Sequence, residues 1–228
     1  MADVTLTYKG STIAEMSDTG TKTLKTAGKY CEGDIGVSYV KPSSGGTSDD
    51  LAKKVIEGEG TITELPSGIT KIRNYAFRSN TGLSLTSLPS TVTSIGDYAF
   101  ANCDNLTLTS LPNGVVTIGN SAFYDCNNLA LTSLPDGVTS IDNYTFTLCY
   151  KLALTSLPSG ITSIGLSAFG YCNGLTTITF KGTPSSISFN AFDNCINLTT
   201  INVPWAEGAV ENAPWGATNA TINYNYTE

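Results

Sequence analysis

Phenylalanine stands at Phe77, Phe100, Phe123, Phe146, Phe169 and Phe192, each 23 residues after the one before. The same step carries Leu-Pro through Leu65, Leu88, Leu111, Leu134 and Leu157. It carries isoleucine from Ile72 to Ile187 and leucine from Leu83 to Leu198 without a gap. A fixed period in this range is the signature of a stacked coil. One such repeat has too little apolar surface to stand alone, so equivalent side chains must meet their own copies in the next repeat. The invariant letters then face inward and the loosened ones face water.

The period divides the chain. Residues 63–203 hold the repeats, six in number, the last of which decays: Phe180 takes the Leu slot, Lys181 the Pro slot and Pro184 the Val slot. Decay beside a terminus marks a capping repeat, and residues 204–228, with Trp205 and Trp215, are expected to close the core. Upstream, VTLTYKG and DIGVSYV alternate apolar and polar residues as half-buried strands do, so residues 1–41 form a small β-rich module. Residues 42–50, within KPSSGGTSDD, have the composition of a flexible linker. Residues 51–62, LAKKVIEGEGTI, are expected to form a short helix or cap at the entrance to the repeats.

Composition excludes several functions. The chain has no histidine, so the usual general base near neutral pH and the commonest metal ligand are both missing. Its net charge is −7, and residues 79–228 carry only Lys151 and Lys181 against nine acids. Nucleic-acid and anionic-membrane surfaces need clustered cations, so neither is an expected partner. No run of apolar residues is long enough for a membrane span, and no membrane insertion is expected. The opening MADVTLTYKGST lacks a basic segment followed by an apolar one, so no secretory signal is expected there.

The pattern LP-x-x-[IV]-x-x-I-x-x-x-AF-x-x-C-x-x-L at a 23-residue step resembles the BspA-type leucine-rich repeat family of bacterial surface proteins. That resemblance implies an α/β repeat solenoid: a right-handed leucine-rich repeat coil of six 23-residue repeats with a parallel β-sheet, preceded by the small β-rich unit. On this template the Leu106 to Leu111 stretch is the concave strand, V-T-S-I is a second short strand, and D-Y-A-F-x-x-C is a turn of helix. The segment from Gly20 to Tyr39 is similar to short modules at the start of phage and prophage tail-associated proteins, which indicates context and no chemistry.

Candidate chemistry is sparse. Cys103, Cys126, Cys149, Cys172 and Cys195 form a column in which Asn80 fills the first slot. Rungs roughly 4.8 Å apart would allow a bridge, but parallel Cβ vectors and an odd count oppose one. No C-x-x-C spacing offers a metal site. Asn shares with Cys the ability to hydrogen-bond a turn from inside, so the column reads as free, buried, inert thiols, with Cys31 simply buried. Asp97, Asp104, Asp125, Asp136, Asp142 and Asp193 occupy loosened slots of different coils. No catalytic residue, cofactor or metal ligand is expected.

Contact surfaces remain. Thr109, Thr132 and Thr155 continue a column begun at Thr86, with a serine beside each; exposed sheet faces favour such residues, and a broken second threonine row argues against ice binding. Tyr124, Tyr150 and Tyr171 stand near the Phe-to-Cys turn of three successive coils, where exposed tyrosine suits protein or carbohydrate contact. Tyr75, Tyr98 and Tyr144 share one register and are expected to pack half-buried against the adjacent coil. Trp205 and Trp215 could be a lid or sugar platforms, and the lid is the plainer reading. The function expected is a non-catalytic interaction scaffold, a surface adhesin or a tail-associated phage protein, binding a protein or glycan on a host or bacterial surface. The alternatives are a structural spacer with no specific ligand and, further off, a glycan-cleaving enzyme using paired Asp. Localisation is open between surface-exposed and virion-associated.

Overall fold

The computed structural model describes residues 70–227, Leu65, and the strand backbones at 4–8, 11–16, 21–24, 38–40 and 61–62. In the leading unit, β1 (Val4–Tyr8), β2 (Ser11–Met16), β3 (Thr21–Leu24), β4 (Ser38–Val40) and β5 (Thr61–Ile62) form one sheet in the order β4-β1-β2-β3-β5. β1 and β4 fall in the two alternating stretches, and β2 and β3 lie between them. The sheet is antiparallel except at its end, where Thr21 pairs with Thr61 in parallel. The linker at 42–50, Cys31 and residues 51–60 of the expected cap lie outside the described residues. The last two residues of that cap form β5, a strand and not a helix.

The repeats stack as a parallel β-solenoid. One column of two-residue strands runs as two three-stranded sheets, the first through β6 (Lys71–Ile72), β7 (Ser94–Ile95) and β8 (Thr117–Ile118), the second through β9 (Ser140–Ile141), β11 (Ser163–Ile164) and β13 (Ser186–Ile187). Its pairings, such as Ile72 with Ile95 and Ile141 with Ile164, keep the 23-residue register. A second column, at the C-terminal end, holds β10 (Ser156–Leu157), β12 (Thr177–Phe180), β14 (Thr200–Asn202) and β15 (Thr221–Asn223). The final step is shorter, since Thr200 pairs with Thr221.

Side-chain spacing explains why the second column becomes regular so late. In the Leu106–Leu111 stretch, Leu106, Leu108 and Leu111 are buried while Thr109 and Ser110, adjacent in sequence, both face water. A strand alternates strictly, so two consecutive exposed residues break it. Thr132 N–H still donates to Thr109 O and Ala153 N–H to Leu131 O, but no strand forms there until β10. In β12, by contrast, Ile178 and Phe180 are buried and Thr177 and Thr179 half-buried, and four residues form a strand. The expected concave strand is therefore a kinked ladder in the earlier described coils.

The helical turn expected at D-Y-A-F-x-x-C is corrected outright: among the described residues there is no helix. In five of the six coils two residues, four apart, take left-handed backbone, as at Tyr98 (φ 54°) and Asn102 (φ 58°). These rotate alternate N–H groups out of the turn. Tyr98, Phe100 and Asn102 donate to Asn120 O, Ala122 O and Tyr124 O of the next coil, while Ala99 and Ala101 donate three residues back. An α-helix needs every N–H directed to i−4, and here every second one belongs to a neighbour. The α component of the expected fold class is thus replaced by turns.

The core is a set of dry columns. The six phenylalanine rings stack with centroids 5.0–5.6 Å apart and planes within 5–12° of parallel. All are buried. At the C-terminal end Trp205 and Trp215 are buried as well, packed edge-on to each other and against Phe180. Trp215 O accepts the Phe192 N–H, and its own Nε1 donates to Glu211 O. Both tryptophans are therefore a lid, and neither offers a face to a sugar.

Candidate functional site

The five thiols are free and buried. Each donates to the phenylalanine carbonyl 26 residues before it: Cys103 Sγ to Phe77 O at 2.9 Å, Cys126 to Phe100 O at 2.9 Å, Cys149 to Phe123 O at 3.0 Å, Cys172 to Phe146 O at 3.0 Å and Cys195 to Phe169 O at 2.9 Å. Burial pushes the Cys103 and Cys195 thiols up to about 12 and also raises the three between them well above the ordinary thiol value. Thiolate chemistry is thereby suppressed. Asn80 uses its Oδ1 differently, accepting from Gly82 N in its own turn.

A second polar column, missed in the sequence reading, runs just before the Tyr-Ala-Phe segment. Asn74 Oδ1 accepts the Asp97 N–H at 2.9 Å, Asp97 Oδ1 the Asn120 N–H at 2.8 Å, and Asn143 Oδ1 the Leu166 N–H at 2.8 Å. The glycine before each donor is fixed by this approach: a Cβ on Gly119 would meet Asp97 Oδ1 at 2.4 Å. The signal was legible as Gly-Asx at the coil step, but Asx residues read equally well as solvated loop. Asp142 takes a glycine slot in its coil. Desolvation raises its pKa above the ordinary carboxylate value, with Asp97 adding to the rise and a Ser140 hydrogen bond opposing it. Among the described residues no group of three or more acidic or cysteine side chains could hold a metal ion.

The sequence-predicted contact residues fall on two separate parts of the coil. Thr109, Thr132 and Thr155 are exposed in one column, and Thr132 Oγ1 donates to Thr109 O at 3.5 Å. Beside them Ser133, Ser156, Asp136 and Lys181 line a shallow polar groove. Tyr150 (42% exposed) and Tyr171 (46% exposed) project from the Phe-to-Cys turns, whereas Tyr124 is half-buried. No ring contact among the described residues joins these three. The second trio divides. Tyr75 and Tyr98 stack at 5.1 Å and 5°, as packing against the adjacent coil requires, yet Tyr75 and Tyr144 are exposed. The Arg78 guanidinium lies over both rings, 5.7 Å from the Tyr75 centroid and 5.4 Å from that of Tyr98.

The BspA type leucine rich repeat region matches this chain in six copies over residues 61–175, just over half of its length. The chain belongs to that family. The BspA-type coil is also similar to the leucine rich repeat protein of T. pallidum, at 29% identity and a TM-score of 0.52, covering 61% of this chain and 70% of that one. It is similar in fold to the pneumococcal vaccine antigen PcpA, at 21% identity and a TM-score of 0.50, covering 75% of this chain but only 43% of the antigen. No curated protein matches it. Among the described residues no helix is long and apolar enough to cross a membrane.

Proposed function

We propose that this BspA-type repeat protein is a non-catalytic scaffold that binds a protein or a glycan on a host or bacterial surface. The observation that carries this reading is the backbone hydrogen bonding that runs from coil to coil. Backbone ladders link each described coil to the next, and the side chains outside those ladders, exposed tyrosine and threonine above all, project from a frame that loses little entropy on binding. Leucine-rich repeat proteins generally bind proteins, which supports the same view. The acidic balance of residues 79–228 disfavours nucleic acid and anionic lipid.

In its finer form the proposal makes the protein a surface adhesin or a phage tail-associated protein. The vaccine antigen among its fold relatives supports the first, and the resemblance of Gly20–Tyr39 to tail-associated modules supports the second. The contact residues are Thr109, Thr132, Thr155, Tyr124, Tyr150 and Tyr171. The division at 1–41, 42–50, 51–62, 63–203 and 204–228 belongs to the same proposal, with the leading module as the attachment end.

The test is binding of the intact chain to host-cell surfaces, bacterial envelopes and a glycan array. Saturable binding to one of them is expected. Absence of saturable binding to all three would make the coil a spacer, and release of reducing ends from a glycan would make it an enzyme.

A further inference from the structure

Two slots that flank the Cys position set coils four to six apart from the rest. The left-handed slot holds Ser79, Asn102, Asp125, Leu148, Tyr171 and Asn194, with φ between 55° and 64° throughout. Short polar residues tolerate that backbone and bulky ones are strained in it. Leu148 and Tyr171 break the rule. Two residues further on, the column reads Thr81, Asp104, Asn127, Tyr150, Asn173 and Ile196, and again the exceptions are large and apolar. Tyr150, Tyr171 and Ile196 are all substantially exposed, Ile196 at 59%.

The three lie together. Tyr150 and Ile196 share one slot two coils apart, and Tyr171 stands in the coil between them, its carbonyl accepting the N–H of the intervening Asn173 at 2.9 Å. Rungs of about 4.8 Å put the side chains on one continuous patch. The backbone beneath is fixed: Tyr171 N–H donates to Asp193 O, and Tyr150 and Ile196 N–H close tight turns onto Leu148 O and Asn194 O. Side chains that repeat chemistry does not ask for, left in water on a backbone fixed by the coil and, at Tyr171, carried on left-handed backbone, point to a binding role.

Resting on the scaffold reading above, we infer that Tyr150, Tyr171 and Ile196 form the anchor of a docking patch for a protein segment with an apolar centre and a cationic rim. Charge selects that partner. Asp125 lies one coil before Leu148 in the same column, Asp104 lies two coils before Tyr150, and Asp193 adjoins Tyr171, with Lys151 the cation beside them. The aliphatic surface of Ile196 and Leu148 suits apolar side chains and offers a sugar no hydrogen bond. Rigid tyrosines at the centre and complementary charge around them are the arrangement that gives a protein interface its affinity and its steering.

The probe is a random displayed-peptide library panned against the intact chain. Peptides combining aromatic or aliphatic residues with flanking Lys or Arg are expected, with affinity that falls as salt rises. Each should lose at least tenfold in affinity for a Tyr150→Asn, Tyr171→Asn, Ile196→Asn triple variant. Asn already occupies both slots in other coils, so the variant should melt within about 5 °C of the parent. Enrichment of acidic or uncharged peptides, equal affinity for the variant, or no enrichment overturns the inference. So does a variant that unfolds, since the three side chains would then serve the coil. A neutral glycan bound by the parent and lost by the variant overturns the protein assignment. Saturable surface binding that the variant retains would sink the patch and leave the scaffold reading standing.

Discussion

At Cys149 the thiol lies 3.0 Å from Phe123 O, in a site where burial raises its pKa well above the ordinary value of 9.0. Its role follows from that geometry: it satisfies a buried carbonyl that has no other side-chain donor nearby. Cys149→Ser keeps a donor at the same place, whereas Cys149→Ala leaves Phe123 O with the Cys126 N–H as its remaining partner and forfeits a hydrogen bond worth about 0.5–1.5 kcal/mol. Equilibrium denaturation should rank the alanine variant below the serine one, and the reverse order would deny the hydrogen bond its part. A second residue-scale test uses the left-handed slot. Asn194 is exposed at φ 56°, so Asn194→Gly should be close to neutral. Asn194→Val should cost about 1–2 kcal/mol, because a β-branched side chain clashes in that conformation. Equal stability of the two variants would count against the backbone assignment.

Elements in this protein are dictated by alternation more than by propensity. Where the sequence keeps strict alternation, as in Thr177–Phe180, a strand forms; where two polar residues adjoin, as at Thr109–Ser110, it kinks. That much could be read in advance, and so could the columns, because 23-residue periodicity survives in the letters. The Phe-to-Cys turn could not. Its left-handed pairs depend on hydrogen bonds between coils, and a lone D-Y-A-F-x-x-C looks like the start of a helix. The exposed Tyr150 and Tyr171 were legible as departures from the repeat, while Ile196 lay hidden in a decaying one.

The Asx column adds an element-scale prediction. Asp142 stands beside this column with a raised pKa caused chiefly by desolvation. A carboxyl group whose folded value lies above its unfolded one favours the folded state when protonated. Its contribution is therefore complete below the ordinary value of 3.8 and is lost as pH rises through the raised folded value. Asp142→Asn should remove this dependence and raise stability at pH 7. Parallel stability–pH curves for the two proteins over the acid range would contradict it.

For the whole molecule, each coil stabilises its neighbours and the tryptophan lid ends the series. Stability should then reside in nearest-neighbour interfaces as much as in single coils. A double-mutant cycle reads this directly at the phenylalanine column, where Phe123 and Phe146 stack at 5.6 Å and Phe77 and Phe192 stand at opposite ends. Replacing Phe123 and Phe146 by leucine, singly and together, should give a coupling of about 0.5–1.5 kcal/mol. The same cycle on Phe77 and Phe192 should be additive within about 0.5 kcal/mol. Coupling of equal size in both cycles, or in neither, would show that the rings do not form a column and would contradict the stacked coil on which the rest is built.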